Sequence, residues 1–435
     1  MLKIERVKKS LFLKSVLVTT LGSSISKVIL VLATFYCTRN LCKEDFGIFS
    51  FIRNTLNIIL CICALNYSGL CTKFTAESAK KKSSSYKLVL LILFSLVVCL
   101  LFGGGLIFLP VDYILTFFPS KELLGYFYII GFLLPIFMLQ PLVEGILRGH
   151  NAFNLVGKLQ ITSSLLFLFL IIVGLWWDNL NGAICAMLVY YTIYAMMSLY
   201  YLRKFINFSS ILNLKIKKIW QQWPVLYKII FPVFILSFIE APINWWAQVI
   251  LAQHGSFSAV GSMSAILQIR NLAILIPTYY FSTFISFASS SNAEKNMKDY
   301  FYKFVVSGKI TFFVSLLVVA LFCVTGDILL GFYGDSYKKD VIPFIYAMLG
   351  YPFLIIANLF KINLLVREHQ RLMLFISVSS SFIFILSLYL FLLMDINAVS
   401  SFFLAQLAQS ISLSILSFVR FIADARKEKI NIINL

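Results

Sequence analysis

The chain has 435 residues, 60% of them hydrophobic and 13% charged, whereas soluble domains run near about 45–50% apolar and about 25% charged. With 43 Phe and a mean hydropathy of +0.91, it carries more apolar surface than an aqueous core can bury, which excludes a soluble globule and hands much of that surface to lipid. The formal charge of +19, from 37 Lys+Arg against 18 Asp+Glu, falls in short basic clusters between long apolar runs; this is the pattern of membrane orientation, so nucleic acid is not an expected partner.

A membrane-spanning helix needs about 20 mostly apolar residues. Twelve such runs follow one another, at approximately 15–38, 46–71, 88–109, 123–146, 158–176, 182–202, 228–252, 257–285, 302–325, 341–361, 372–394 and 398–419. The first is longer than a secretory hydrophobic region, carries Lys27 in its middle and has no small-residue cleavage site after it, so it is expected to be retained as a helix.

Placing the N-terminus in the cytoplasm puts segments 1–14, 72–87, 147–158, 203–228, 286–309, 361–371 and 420–435 inside, and these carry 29 of the 37 basic residues. The outer segments carry five: Arg39, Lys43, Lys121, Lys338 and Lys339. Such asymmetry over short loops orients both termini toward the cytoplasm. The longest break, RKFINFSSILNLKIKKIWQQWPVLYK at 203–228, divides the spans six and six. The expected organisation is a six-helix half over 1–203, a cytoplasmic linker over 204–227, a second six-helix half over 228–420 and a cytoplasmic tail over 421–435. Because six is even, both halves enter the membrane in the same direction, so any duplication is parallel, about an axis along the membrane normal. Gly47 followed by Arg53-Asn54, and Gly261 followed by Arg270-Asn271, form a weak internal echo of that kind.

No loop has room for a soluble catalytic or nucleotide-binding domain, and no G-x-x-x-x-G-K-[ST] occurs. No catalytic residues and no cofactor are expected. The eight cysteines contain no C-x-x-C, and His150, His254 and His369 lie far from any Cys-rich cluster, so no metal site is expected either. Cys37 and Cys42 flank one outer loop and read as small buried hydrophobes or, less simply, as a bridge.

Three basic residues fall inside spans: Lys27, Arg53 and Arg270. Each such charge costs about 2.5–3.5 kcal/mol at mid-bilayer on insertion scales. Arg53 is close enough to the outer end of its span to snorkel, whereas Lys27 and Arg270 sit near span centres. Glu240 is the acid nearest a span centre, in FPVFILSFIEAPINWW between Pro232 and Pro242. It reads as an ion-pair partner, a coupling group or a contact for a substrate hydroxyl. Three cations against one acid, in a polar cavity lined by spans 1, 2, 7 and 8, favour an anionic cargo, and paired arginines match the bidentate geometry of phosphate or pyrophosphate. Asn244, Gln248, Gln268 and Asn271 add amides to that cavity, and Trp245 and Trp246 read as stacking surfaces or as part of the interfacial belt. Prolines at 135, 141, 232, 242, 277, 343 and 352 predict kinked spans in both halves.

Four segments, in order, carry a family resemblance: NLCKEDFGIFSFIRN at the first outer loop and second span, EGILRGHNAFNLVGK at an inner loop, VILAQHGSFSAVGSMSAILQIRNLAILIP across spans 7 and 8, and ILLGFYGDSY before span 10. Together with length, span number and polarity, these resemble the polysaccharide-export branch of the MATE-like superfamily, specifically the O-antigen flippases of the Wzx type. The resemblance implies an all-α integral membrane fold of about twelve transmembrane helices in two six-helix halves, working by alternating access. The implied cargo is an undecaprenyl-diphosphate-linked oligosaccharide carried from the inner to the outer leaflet of the bacterial cytoplasmic membrane. The implied partners are the lipid bilayer, that lipid-linked sugar, and the polysaccharide polymerase and chain-length machinery. Where many relatives carry an Asp-Arg pair late in span 7, this chain has Asn244 and Gln248.

The leading expectation is therefore a flippase, not an enzyme, with Lys27, Arg53 and Arg270 on the diphosphate. One rival is a cation-coupled multidrug exporter of the same fold, which calls for more acids facing the cavity. Another is a polytopic membrane enzyme of polysaccharide assembly, which calls for a large Arg- and His-rich outer loop or a His-acid dyad.

Overall fold

The computed structural model describes residues 22–64, 67–78, 83–108, 124–205, 217, 220–225, 231–293, 296–367 and 369–430. The basic segment 1–14, the outer loop holding Lys121, most of the 204–227 linker and the last five residues lie outside the described residues. The ordered elements are helical throughout: α1 (22–40), α2 (Lys43–Ala64), α3 (Tyr67–Ser78), α4 (Ser83–Phe108), α5 (Leu124–Phe137), α6 (Leu139–Gly149), α7 (Phe153–Leu202), α8 (Phe231–Ala293), α9 (Met297–Gly331), α10 (Val341–Leu349), α11 (Tyr351–Val366), α12 (Gln370–Leu393) and α13 (Ala398–Lys427). A 3-10 turn, Asp335–Asp340, precedes α10.

Among the described residues nine helical stretches are long and apolar enough to cross a membrane. Two of these are double. The backbone of α7 leaves helical geometry at Asp178 and Asn179, and that of α8 does so at Ser256. With α1 added, twelve spans stand where the sequence places them. The protein is a multi-pass membrane protein with an all-α fold.

The prolines act unevenly. The fourth span divides into α5 and α6 at Met138, between Pro135 and Pro141, and the tenth into α10 and α11 at Gly350, just before Pro352, although both residues keep helical backbone angles. In α8, by contrast, Ser256 is the residue with non-helical backbone, so the kinks expected at Pro232, Pro242 and Pro277 are not breaks. A proline removes one backbone hydrogen bond, which a long spanning helix tolerates when its neighbours support it.

Two compact units emerge: Met1–Leu41 with Phe49–Trp245, and Cys42–Ile48 with Trp246–Leu435. The chain thus changes unit inside α2 and again inside α8. In the first unit, α4 packs on α5, α3 on α6 and α6 on α7. The core is aliphatic and aromatic, with Phe127, Leu134, Phe137, Met138, Leu147 and Ile171 sealed from solvent. The two arms of α7 close on each other where small residues allow it: a Cβ on Gly182 would stand 1.9 Å from the Gly174 carbonyl oxygen, the backbone-to-backbone approach that membrane helices use in place of a hydrophobic drive.

In the second unit, α11 and α12 pack on α13, and α9 packs on α10 and α11. Tyr300, Phe301, Phe304, Phe360 and Phe421 build an aromatic cluster, with Phe421 4.9 Å from Phe360 and 5.2 Å from Phe301 between ring centroids. The first turn of α2 also belongs here. Gly47 lies so close to α8 that a Cβ would stand 1.8 Å from the Phe257 carbonyl oxygen, and one on Gly261 would stand 2.5 Å from the Lys43 carbonyl oxygen. The two glycines of the sequence echo are therefore neighbours in space.

Large apolar side chains cover the outward faces of the spans, Leu101, Phe132, Leu317, Val324 and Phe382 among them. In water such surface would drive aggregation; against acyl chains it is the expected contact. Cys37 and Cys42 are both free thiols, Cys37 buried and Cys42 exposed.

Candidate functional site

The sequence-predicted polar residues divide between the two units. In the first, Lys27 is exposed on α1, whose start is tied to α7 by Ser23 Oγ donating to Gln160 Oε1 at 2.7 Å and Ser26 Oγ donating to the Gln160 carbonyl at 3.0 Å. Arg53 reaches from α2 to the same helix: its Nη1 donates to Thr34 Oγ1 at 3.4 Å, and its guanidinium lies 5.7 Å from the Phe49 ring centroid. Thr34 follows Lys27 by seven residues, two helical turns and about 10 Å of rise along α1.

Asn244 is exposed on α8. Its neighbour Trp245 donates Nε1–H to Thr55 Oγ1 at 2.9 Å. Glu240 belongs to α8 by its backbone, and its side chain lies outside the described residues.

In the second unit, Arg270 is 7% exposed. Its Nη1 donates to Gln406 Oε1 on α13 at 2.6 Å, and its Nε has no hydrogen-bond partner among the described residues. No acid pairs with it there. A guanidinium so buried, with a neutral partner and a spare donor, bears a desolvation cost that the partners found among the described residues offset only in part. Gln268, half a turn away, accepts from Tyr333 Oη at 3.1 Å, and Asn271 is exposed. Gln248 is buried one span earlier.

Two buried polar networks were not foreseen from the sequence. In the first unit Glu144 on α6 is 8% exposed. Its Oε1 accepts from Tyr194 Oη at 2.5 Å, and its Oε2 accepts from Arg148 Nη2 at 3.1 Å and Gln160 Nε2 at 3.0 Å. One carboxylate thus gathers α6 and both arms of α7, and through Gln160 also α1. In the second unit Asp424 on α13 is 2% exposed. It accepts from Asn363 Nδ2 at 3.1 Å and pairs with Arg420 at 2.9 Å, with His369 Nε2 3.5 Å away; Tyr300 Oη donates to Asn363 Oδ1 at 2.8 Å.

A signal for these networks lay in spacing. Glu144, Arg148 and His150 recur as Asn363, Arg367 and His369, each set closing the helix that ends its half's fourth span. In both, the first position is a buried polar side chain held by a tyrosine.

The sequence over residues 12–283 matches the polysaccharide biosynthesis protein family. No curated protein matches it significantly. Among solved structures, a multidrug-resistance MATE transporter of the MOP superfamily, in an inward-facing conformation, superposes with a TM-score of 0.73 at 16% identity, covering 92% of this chain and 96% of that one. A mutant Vibrio cholerae MATE transporter gives 0.65 at 14%, covering 98% and 99%. A MOP-superfamily transporter from Pyrococcus furiosus gives 0.64 at 14%, covering 95% and 96%. At these identities the likeness speaks for the fold, and the family match covers more than half of the sequence. The chain belongs to the polysaccharide biosynthesis protein family and has the twelve-span fold of the MATE transporters.

Proposed function

We propose that this protein is a flippase, not an enzyme, that carries an undecaprenyl-diphosphate-linked oligosaccharide, an O-antigen or capsule repeat unit, from the inner to the outer leaflet of the bacterial cytoplasmic membrane. The observation that carries the reading is Arg270. It is buried, it meets a neutral amide, and among the described residues its Nε–H finds no acceptor. A cation-transporting site would place acids at this position; a buried guanidinium selects an anion, and a diphosphate offers paired oxygens for its fork of donors. Lys27 on α1 and Arg53 on α2 supply further positive charge. Asn244, Gln248, Gln268 and Asn271 offer amide hydrogen bonds to sugar hydroxyls, with Glu240 as a coupling or cavity residue. The polyprenyl chain stays in lipid, where hydrocarbon costs nothing to solvate.

In this reading the halves 1–203 and 228–420 alternate access, and both termini face the cytoplasm, as the 29-to-5 distribution of basic residues over inner and outer segments supports. Polysaccharide polymerase and chain-length proteins then act on the delivered unit. The test is product analysis in a strain lacking the gene. Single lipid-linked units accumulating on the inner leaflet, and cleared by the restored gene, fit a flippase. Single units attached on the outer side would mark a polymerase and overturn the reading.

A further inference from the structure

The second unit carries an open cavity of about 460 Å³ lined by Lys43, His254, Ser258, Asp340, Asp395 and Asn397, among others. Its volume is that of a small-molecule site. Asn397 caps the start of α13 by accepting from the Val399 N–H at 3.0 Å, and Asp424 stands in the last turns of the same helix, about 40 Å away at the helical rise. The cavity is therefore at the end of the unit opposite the Asp424 network. Ser258 is also twelve residues from Arg270 along α8, about 18 Å, so the cavity and the buried guanidinium are separate places.

Its chemistry is not that of a phosphate site. The single lysine is spent: Lys43 Nζ lies 2.6 Å from Asp340 Oδ2 and 5.2 Å from the Tyr337 ring centroid. Asp395 has no ion pair among the described residues, so any field favours neutral over anionic ligands. The remaining groups mix donors and acceptors. His254 Nδ1 lies 3.0 Å from the Ile250 carbonyl oxygen; with its proton there, Nε2 is left as an acceptor. Asn397 uses its oxygen in the cap and keeps its amide protons, and Ser258 carries a hydroxyl of either sense. Such a set suits hydroxyls that both donate and accept.

Backbone strain collects at the same rim. Ser256, two residues from His254, has φ 61° and ψ 177°, a region that is essentially glycine's alone, and Asp395 has φ 55°. Non-glycine residues held in such conformations gather at ligand sites.

We propose that this cavity is a saccharide subsite, taking one or two uncharged, hydroxyl-rich sugar units of the cargo, apart from the position of its diphosphate. The subsite rests on the transport reading given above. The full-length protein in nanodiscs is titrated calorimetrically with the repeat-unit oligosaccharide released from its lipid by mild acid, and in parallel with sodium pyrophosphate. Saturable sugar binding is expected, weakened about tenfold or more by Ser258→Trp, which intrudes into the cavity, and by Asp395→Asn, which tolerates the same backbone. Pyrophosphate does not displace the sugar. No sugar binding by a transport-competent protein, binding indifferent to both cavity variants, or displacement by pyrophosphate would overturn the subsite. If variant-sensitive sugar binding persists in a protein that moves no lipid-linked sugar, the subsite stands and the transport reading falls.

Discussion

Arg270 and Glu144 are both buried charges inside spans, and they differ in how they are held. Glu144 accepts three hydrogen bonds, from Tyr194, Arg148 and Gln160, so both its oxygens are partnered and its role is to join helices. Arg270 has, among the described residues, one neutral acceptor and a spare donor, which is why it is the residue proposed to meet a ligand. Opposite consequences follow for substitution. Glu144→Ala strands three donors in a low-dielectric interior and should cost about 3 kcal/mol of stability, whereas Tyr194→Phe removes one hydrogen bond and should cost about 1–2 kcal/mol. Unfolding of the purified protein in detergent measures both; equal and negligible effects would remove Glu144 from its structural role. Sequence reading found Arg270 because a lone arginine interrupts an apolar run. It passed over Glu144 because that residue stands next to a polar turn, where a carboxylate normally reaches water.

The spans themselves were legible, since about 20 apolar residues have few alternatives. The breaks at Asp178–Asn179 and Ser256 also fall where apolar runs give way to polar residues. What the pattern did not reveal was the short α3, which the hydropathy merged with the second span and the loop after it. Nor did it show that Gly47 and Gly261 touch. Their echo read as a repeat, yet each is glycine for a steric reason: α2 and α8 meet at backbone distance. Gly47→Ala would push a methyl against the Phe257 carbonyl and should cost about 2–3 kcal/mol, seen as a lower unfolding midpoint and a smaller monodisperse fraction. Gly104→Ala is the matched control, because its Cβ would meet only Phe108 Cδ2 at 3.9 Å; if the two variants behave alike, the close approach is not a determinant of the fold.

At the scale of the whole molecule, the net charge of +19 describes topology far more than cargo. Most of the basic residues stand in segments that the sequence assigns to one side of the membrane, and three stand within spans. The structure distributes these three between the units, Lys27 and Arg53 in the first and Arg270 in the second, and supplies Thr34 and Gln406 as their partners. No spacing rule could have named Gln406, because it lies 136 residues from Arg270 and meets it only through the packing of α8 and α13. The central claim, that a buried cation receives the diphosphate of a lipid-linked sugar, is tested most directly in proteoliposomes by the rate at which that lipid crosses from one leaflet to the other. Wild-type protein should support translocation, Arg270→Ala at equal incorporation should slow it about 100-fold, as loss of a buried charge-assisted contact implies, and Arg270→Lys should restore part of the rate. Translocation by Arg270→Ala at the wild-type rate would contradict the account.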